Sequence, residues 1–391
     1  MEQPKEFIEK GKEEMVCKLK RSIYGLKQSA RCWNTELDQK LRSIGFVQSK
    51  NDPCIYTRIT EGELFVIAVY VDDIIQAGKN EKDIEEVKKK ISKKFDAVDM
   101  GPLHYFLGVK VIQSENGSVW IGQPSYIKTV LSKFKMEDCN PVETPADASQ
   151  KLKKAEENEE LIDKELYQSA VGSILYISTR TRPDVSYAIG SCARFSANPT
   201  KCHWTAVKRI MRYLKGTFNF GLIYSSTNPN DLVGYSDADW AGDVNDRKST
   251  SGYVFKICGG AVSWRSKKQS CVALSTAEAE YMALASATQE AIWMKHLIAD
   301  LHIEILEKPV CIHEDNQSTI CIAKNHQYHG RSKHIDIKFH FTRDQVISGN
   351  IELNYCKSEN MVADLFTKPL SGPQFKRLRE LLGLTAIEEE C

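Results

Sequence analysis

Residues Leu232 to Glu280 read LVGYSDADWAGDVNDRKSTSGYVFKICGGAVSWRSKKQSCVALSTAEAE, and this stretch decides the fold. It begins as a strand that ends in acid. Val233, Tyr235 and Asp237 share one face by the two-residue period, so Asp237 points where apolar neighbours point. It ends by opening a helix. Ser275 followed by Glu278 forms a capping box, which predicts a helix start near Thr276. Ala277, Glu280, Leu284, Ala287, Ala291, Met294, Ile298 and Leu301 then recur on one stripe. Glu280 is therefore on the core-facing stripe, where a carboxylate is costly unless neutralised. Two readings stand at this point: a partly exposed Glu at a helix start, or a carboxylate sharing a divalent cation with Asp237.

The totals narrow the class. The 391 residues suggest two or three domains. Apolar residues make up 42% and charged residues 27%, an ordinary globular balance. A net charge of +1 argues against a uniformly basic nucleic-acid coat, though not against local basic surfaces. The twelve cysteines are scattered without a CxxC pair, which reads as reduced thiols rather than a disulfide frame or zinc site. No signal-peptide pattern and no apolar run of membrane-spanning length occurs, so the expectation is a soluble, intracellular protein with no membrane partner.

Strands are predicted at Met15–Leu19, Cys54–Thr60 and Leu64–Val71, with a helix carrying Trp33, Leu37 and Leu41. The third strand ends Tyr70-Val71-Asp72-Asp73, two acids at the tip of an apolar hairpin. Side chains alternate on extended backbone, so one acid of the pair can face a cleft while the other supports it; turn chemistry alone also favours Asp. The lysine-rich EKDIEEVKKKISKKF has Ile84, Val87, Ile91 and Phe95 as its apolar stripe, so its lysines read as the wet face of a helix. A strand is predicted at Val119–Gly122, a helix at Pro124–Phe134, and a mobile linker over 140–158.

RSIYGLKQSARCWN, NDPCIYTR, VIAVYVDDIIQAG and GPLHYFLGVKV together resemble the reverse transcriptase of copia-type retrotransposons. The resemblance implies that Asp72 and Asp73 are metal ligands of the palm, and that Gln28 and Arg31 lie on the helix that meets template and nucleotide. Polymerase chemistry needs a second acidic strand. In the family it lies upstream of the segment matching MEQPKEF. Before residue 60 the acids on predicted elements are Glu36 and Asp38 on a helix and Asp52 in a turn. The expectation is a truncated reverse transcriptase that does not polymerise DNA alone.

Residues 161–224 read as helical, with Pro183 in a first helical turn. Val207, Ile210, Met211 and Leu214 form a core stripe, leaving Lys208 and Arg212 on the other side. A solvated face and a phosphate-contacting face both fit. The resemblance implies thumb and connection here.

Strands follow at Leu232–Ser236, Tyr253–Cys258 and Ala261–Trp264, with Cys271–Leu274 as a further hairpin partner, then the long helix. Val310–His313 is a strand ending in Glu314-Asp315-Asn316. A short helix, a helix over His334–Ile347, a strand at Ile351–Tyr355 and a helix at Met361–Thr367 complete the order. GYSDADWAGD, LSTAEAEYMAL, EDNQSTI, RSKHIDIKFHF and NMVADLFTKPL resemble copia-type ribonuclease H. The resemblance implies catalytic, metal-holding roles for Asp237, Glu280, Asp315 and Asp364. Four clustered carboxylates repel unless cations are present; two magnesium ions about 4 Å apart, or manganese, would resolve this. Asp239, Asp243 and Asp246 read as loop residues, with Asp239 the nearest rival, and Glu314 is expected to point away from Asp315. No histidine occupies the loop 357–360 before the last acid, which leaves Glu359, His334 or no residue to assist product release. His326, His329, His334 and His340 have irregular spacing and no cysteine pair, which argues against a zinc site; Lys333, His334, Lys338 and Arg343 read as phosphate contacts. Trp240 and Trp264 read as core residues or as stacking platforms.

The predicted architecture is thus α+β and α/β multidomain. A partial palm covers 1–135, a helical thumb and connection 136–226, a ribonuclease H-like mixed sheet with flanking helices 227–370, and a tail 371–391. The function implied is metal-dependent cleavage of RNA in RNA–DNA hybrids, with hybrid, DNA and other Pol-derived chains as partners. The resemblance implies a virus-like particle in the cytoplasm, or the nucleus, as location. The rival reading is a non-catalytic remnant that at most binds nucleic acid.

Overall fold

The computed structural model describes residues 1–228, 231–302, 308–325 and 336–387, without the side chains of 336, 337 and 339. The chain divides into two compact units. One is built on Met1–Gly101, the other on Pro102–His296 and the later C-terminal segments.

In the first unit, α1 (Ser29–Ser43) precedes β1 (Val47–Gln48), β2 (Ile55–Thr60), β3 (Glu63–Tyr70), β4 (Asp73–Gly78) and α2 (Glu81–Phe95). The strands form an antiparallel sheet in chain order. Phe65, Ile67 and Val69 alternate onto one face of β3 and pack with Leu37, Leu41, Val87 and Ile91 from the two helices. The α2 stripe lies where the sequence put it, and Asn80 caps the helix with its side chain. Met15–Leu19 forms no strand. Met15 and Val16 are exposed, and no strand among the described residues pairs with them.

The second unit begins with β5 (Tyr105–Phe106), β6 (Val109–Gln113), β7 (Val119–Gly122), α3 (Pro124–Lys133), α4 (Lys164–Arg180), α5 (Ser186–Ala193), α6 (Lys201–Gly216) and β8 (Phe220–Tyr224). It continues with β9 (Val233–Asp239), β10 (Thr250–Ile257), β11 (Gly260–Lys268), α7 (Thr276–Asp300), β12 (Val310–Glu314), α8 (Gln317–Lys324), α9 (Asp336–Ile347), β13 (Ile351–Tyr355), α10 (Gly372–Leu381) and β14 (Leu384–Ala386).

One five-stranded sheet runs β11-β10-β9-β12-β13. Its first three strands are antiparallel, while β12 runs parallel to β9 and β13 parallel to β12. This is the mixed sheet that the ribonuclease H resemblance implies. Gly252 is the position that closes it. A Cβ there would meet Phe366 Cβ at 2.6 Å and Thr367 Cγ2 at 2.8 Å, so only glycine lets the 3-10 turn Val362–Phe366 lie on β10. That turn replaces the predicted helix at Met361–Thr367. Cys271–Leu274 is likewise no strand: Val272 and Leu274 are exposed, and the Leu274 N–H donates to the Glu278 carboxylate at the helix entry.

The other sheet, β14-β8-β7-β6-β5, was not foreseen. Residues 102–135 therefore fold with the second unit, because β7 pairs with β8. Residues 371–387, set apart by the sequence as a tail, are integral to the second unit. Phe375, Leu378, Leu382 and Leu384 are buried in the core, and β14 pairs with β8. The segment 140–158 is docked rather than mobile. Arg212 Nε donates to the Asn140 carbonyl at 2.7 Å, Arg209 Nη2 to Thr144 Oγ1 at 3.0 Å, and a His203 ring nitrogen lies 2.8 Å from the Lys153 carbonyl. The guanidinium of Arg212 thus has a structural partner, at a position where the sequence also allowed a phosphate contact. At the centre of the helical layer Arg182 and Asp184 form a fully buried ion pair, with the Tyr213 hydroxyl on Asp184.

Candidate metal centre

Strand register brings the carboxylates together. His313 pairs with Tyr235 across β12 and β9, and their rings stack at 4.8 Å. Two residues further on, Asp237 lies within β9 and Asp315 lies just past the end of β12, on that same face. Glu280 arrives from the first turns of α7, where Ser275 Oγ accepts the Glu278 N–H at 3.2 Å. Each of Asp237, Glu280 and Asp315 offers a carboxylate oxygen, and these three atoms lie within 4.8 Å of one another. Asp364 reaches Asp237 from the 3-10 turn held down over Gly252, whose cross-strand partner is Asp237 itself.

Polar neighbours fix the group. Thr367 Oγ1 donates to Asp237 Oδ2, and Ser358 Oγ donates to Asp315 Oδ2 at 2.7 Å. Lys368 Nζ lies 2.8 Å from Asp364 Oδ1 and 3.7 Å from Asp237 Oδ2. Burial raises Asp237, Glu280 and Asp364 above the usual carboxylate range, the last to about 7, and their mutual repulsion adds to the effect for Glu280 and Asp364. Against burial, which would lower it, Asp237, Asp364 and Asp315 raise Lys368.

Divalent cations fit this donor set. Asp237 and Glu280 are buried, and among the described residues Glu280 Oε2 has no hydrogen-bond partner and the carboxylates outnumber the one ammonium ion-paired with them. The donors are all hard oxygens, which suit magnesium or manganese better than zinc.

Sequence reasoning missed two residues here. Ser358, in the loop that lacks a histidine, carries the hydrogen bond to Asp315. Glu314, expected to point away from Asp315, is fully buried, and burial together with Asp237 and Asp315 raises it well above the normal range. An acid closing the buried strand Val310–Glu314 was the available signal.

Asp239 stays outside the trio. Its carboxylate lies over Gly242, where a Cβ would come within 1.6 Å of Asp239 Oδ2. Asp243 accepts from Lys268 at 2.6 Å and Arg194 at 3.1 Å. Lys268 and Asn245 outweigh its burial and hold it well below the usual range. Trp264 donates to the Ser178 carbonyl and packs on the core, whereas Trp240 keeps 47% of its surface exposed.

The remaining sequence-predicted residues lie apart from this centre. Asp72 and Asp73 are exposed at the β3–β4 turn, where Val71 takes a φ of +56° and its carbonyl accepts Trp33 Nε1 at 2.7 Å. Among the described residues no third metal-ligating side chain joins them. Gln28 and Arg31 are exposed at the start of α1. Lys208 and Lys338 are half-buried. Lys333 and His334 lie outside the described residues.

Residues 1–148 match the reverse transcriptase (RNA-dependent DNA polymerase) family. The Retrovirus-related Pol polyprotein from transposon TNT 1-94 of Nicotiana tabacum is 40% identical over 98% of this chain, which spans 29% of that polyprotein's length. A putative transposon Ty5-1 protein of Saccharomyces cerevisiae is 32% identical over 74% of this chain and 94% of its own length. The chain belongs to the copia-type retrotransposon Pol polyproteins. The copia-type chain is also similar to the solved RNase H1 of Halobacterium salinarum, at 17% identity and a TM-score of 0.26 over 35% of this chain and 94% of that one.

Proposed function

We propose that residues 227–370 form a divalent-cation-dependent ribonuclease H that hydrolyses the RNA strand of RNA–DNA hybrids. The observation that carries this reading is the convergence of Asp237, Glu280 and Asp315 within 4.8 Å, with Asp364 beside Asp237. Asp237 is the common member: it belongs to the trio and also meets Asp364 of the 3-10 turn, and Thr367 orients it. Ser358 holds Asp315 in place, and Lys368 balances part of the charge. Magnesium or manganese bound by these four carboxylates would supply the positive charge that favours an attacking hydroxide and the departing 3′ oxygen. The buried walls exclude bulk water from Asp237 and Glu280, which strengthens every charge interaction between them and a phosphodiester. The 2′-hydroxyl would mark the strand to be cut, with 5′-phosphate and 3′-hydroxyl ends as products.

Under this reading the partners are hybrid and DNA duplexes, and the setting is the cytoplasmic particle or nucleus in which a retrotransposon copies itself. Polymerisation by this chain is not part of the proposal, since Asp72 and Asp73 are exposed and no third metal-ligating side chain joins them among the described residues.

The test is incubation of the purified chain with a labelled hybrid and magnesium. Asp237→Asn is expected to reduce cleavage on the order of 10³-fold or more, because carboxylates acting as a unit fail together. Cleavage no faster than that variant would sink the hydrolase reading. Steeply salt-dependent hybrid binding without cleavage would favour the non-catalytic remnant instead.

A further inference from the structure

A cavity of about 360 Å³ adjoins the carboxylates and has no part in the reading above. It lies within the second unit, walled by the docked segment 145–152, by α5 and α6, and by the loop that follows β9. Its volume is at the lower end of the roughly 300–1,000 Å³ typical of small-ligand sites. Lys368 and Asp239 line it, so it begins where the metal-centre residues end.

The charge of its wall is lopsided. Arg194 is committed to Asp243 at 3.1 Å and Arg209 to Asp147 at 3.4 Å. Lys151 and Arg247 also line the cavity, are exposed, and hold no ion pair among the described residues. Lys151 acts electrostatically on Asp239 of the same wall without closing a salt bridge to it. Cations left outside salt bridges beside a partly apolar hollow suit an anion that carries a flat organic body. Trp240 supplies a surface for that body. Its indole nitrogen is fixed by the Ala273 carbonyl at 3.1 Å, while nearly half of the side chain remains open. The loop that makes this wall is also strained: Ala241 and Arg247 both take left-handed backbone, at φ of +54° and +57°. Such conformations persist only where the surroundings enforce them.

We infer that this cavity is a subsite for one nucleotide unit of the nucleic acid strand that passes the carboxylates. Lys151 and Arg247 pair its phosphate, and Trp240 stacks against its base. The inference rests on the hydrolase reading for the strand's direction, but not for the binding itself.

The test uses the whole chain in EDTA, where nothing is cleaved. Indole fluorescence and calorimetry follow titration with adenosine 5′-monophosphate, adenosine and hexadeoxyadenylate. The monophosphate is expected to bind about tenfold more tightly than adenosine, and Arg247→Glu to remove about that factor. Arg247→Gly, which suits the left-handed backbone, should lose the same affinity without a lower Tm. Trp240→Leu should abolish the fluorescence response. The hexanucleotide should compete with the monophosphate. Equal affinity for adenosine and its monophosphate, or binding indifferent to Arg247, would overturn the site. A monophosphate that binds while the hexanucleotide does not compete would overturn the strand as its source. Failure of hybrid cleavage with nucleotide binding intact counts against the hydrolase reading alone.

Discussion

At the scale of single residues, Asp237, Glu280, Glu314 and Asp364 are all buried, and Lys368 is the cation that ion-pairs with two of them. Burial raises each of these carboxyls, so the folded protein without metal holds their protons more tightly than the unfolded chain does. The sign for Asp364 follows directly. Its folded value of about 7 lies above the ordinary 3.8, so its stabilising contribution is complete below the ordinary value and is lost as pH rises through about 7. In EDTA, Tm should therefore fall as pH is raised from about 5 to about 8, and millimolar magnesium should flatten that slope. Lys368→Met should steepen it, because the ammonium offsets the charge of the ionised pair. A metal-free Tm that rises over this range would contradict the burial of Asp364.

At the scale of elements, Gly252 decides whether the last acid reaches the others. Gly252→Ala puts a methyl group into Phe366 and Thr367, atoms packed against the core. A cost of about 1–3 kcal/mol is expected from overpacking. Cleavage should fall further than stability alone explains, since Thr367 and Asp364 are displaced together from Asp237. Comparison of kcat at a temperature where both proteins are folded checks this. The elements that carry the site were legible because each announces itself locally. Tyr235 and Asp237 alternate on a strand, Ser275 and Glu278 cap a helix, and Asp315 closes a short apolar run. Ser358 was illegible because nothing local distinguishes a serine in a polar loop; its role exists only through Asp315, far away in sequence. Met15–Leu19 misled for the converse reason: its apolar residues have strand propensity, but no partner strand meets them, and propensity without a partner does not make a sheet.

At the scale of the molecule, the second sheet was hidden because its strands are short and far apart in the chain. Leu222 faces Leu384 across β8 and β14, and no window of sequence contains both. The helix α10 behind that pair is integral to the core. Leu378→Ala should cost about 2–5 kcal/mol, as for other fully buried leucines, and should lower the denaturation midpoint of the second unit. An effect below about 0.5 kcal/mol would mean that the C-terminal segment does not pack as described.

The pairing of β8 with β14 also has a consequence in time. Synthesis proceeds at roughly 5–20 residues per second, so the interval between the two strands lasts on the order of 10–30 s on the ribosome. Throughout that interval one edge of β8 has no neighbour to accept its hydrogen bonds, and an unpaired edge is a template for joining other chains. Nascent copies translated close together on one message are each other's nearest candidates. Slow emergence of β14 would then act less on the finished site than on how many chains ever reach it.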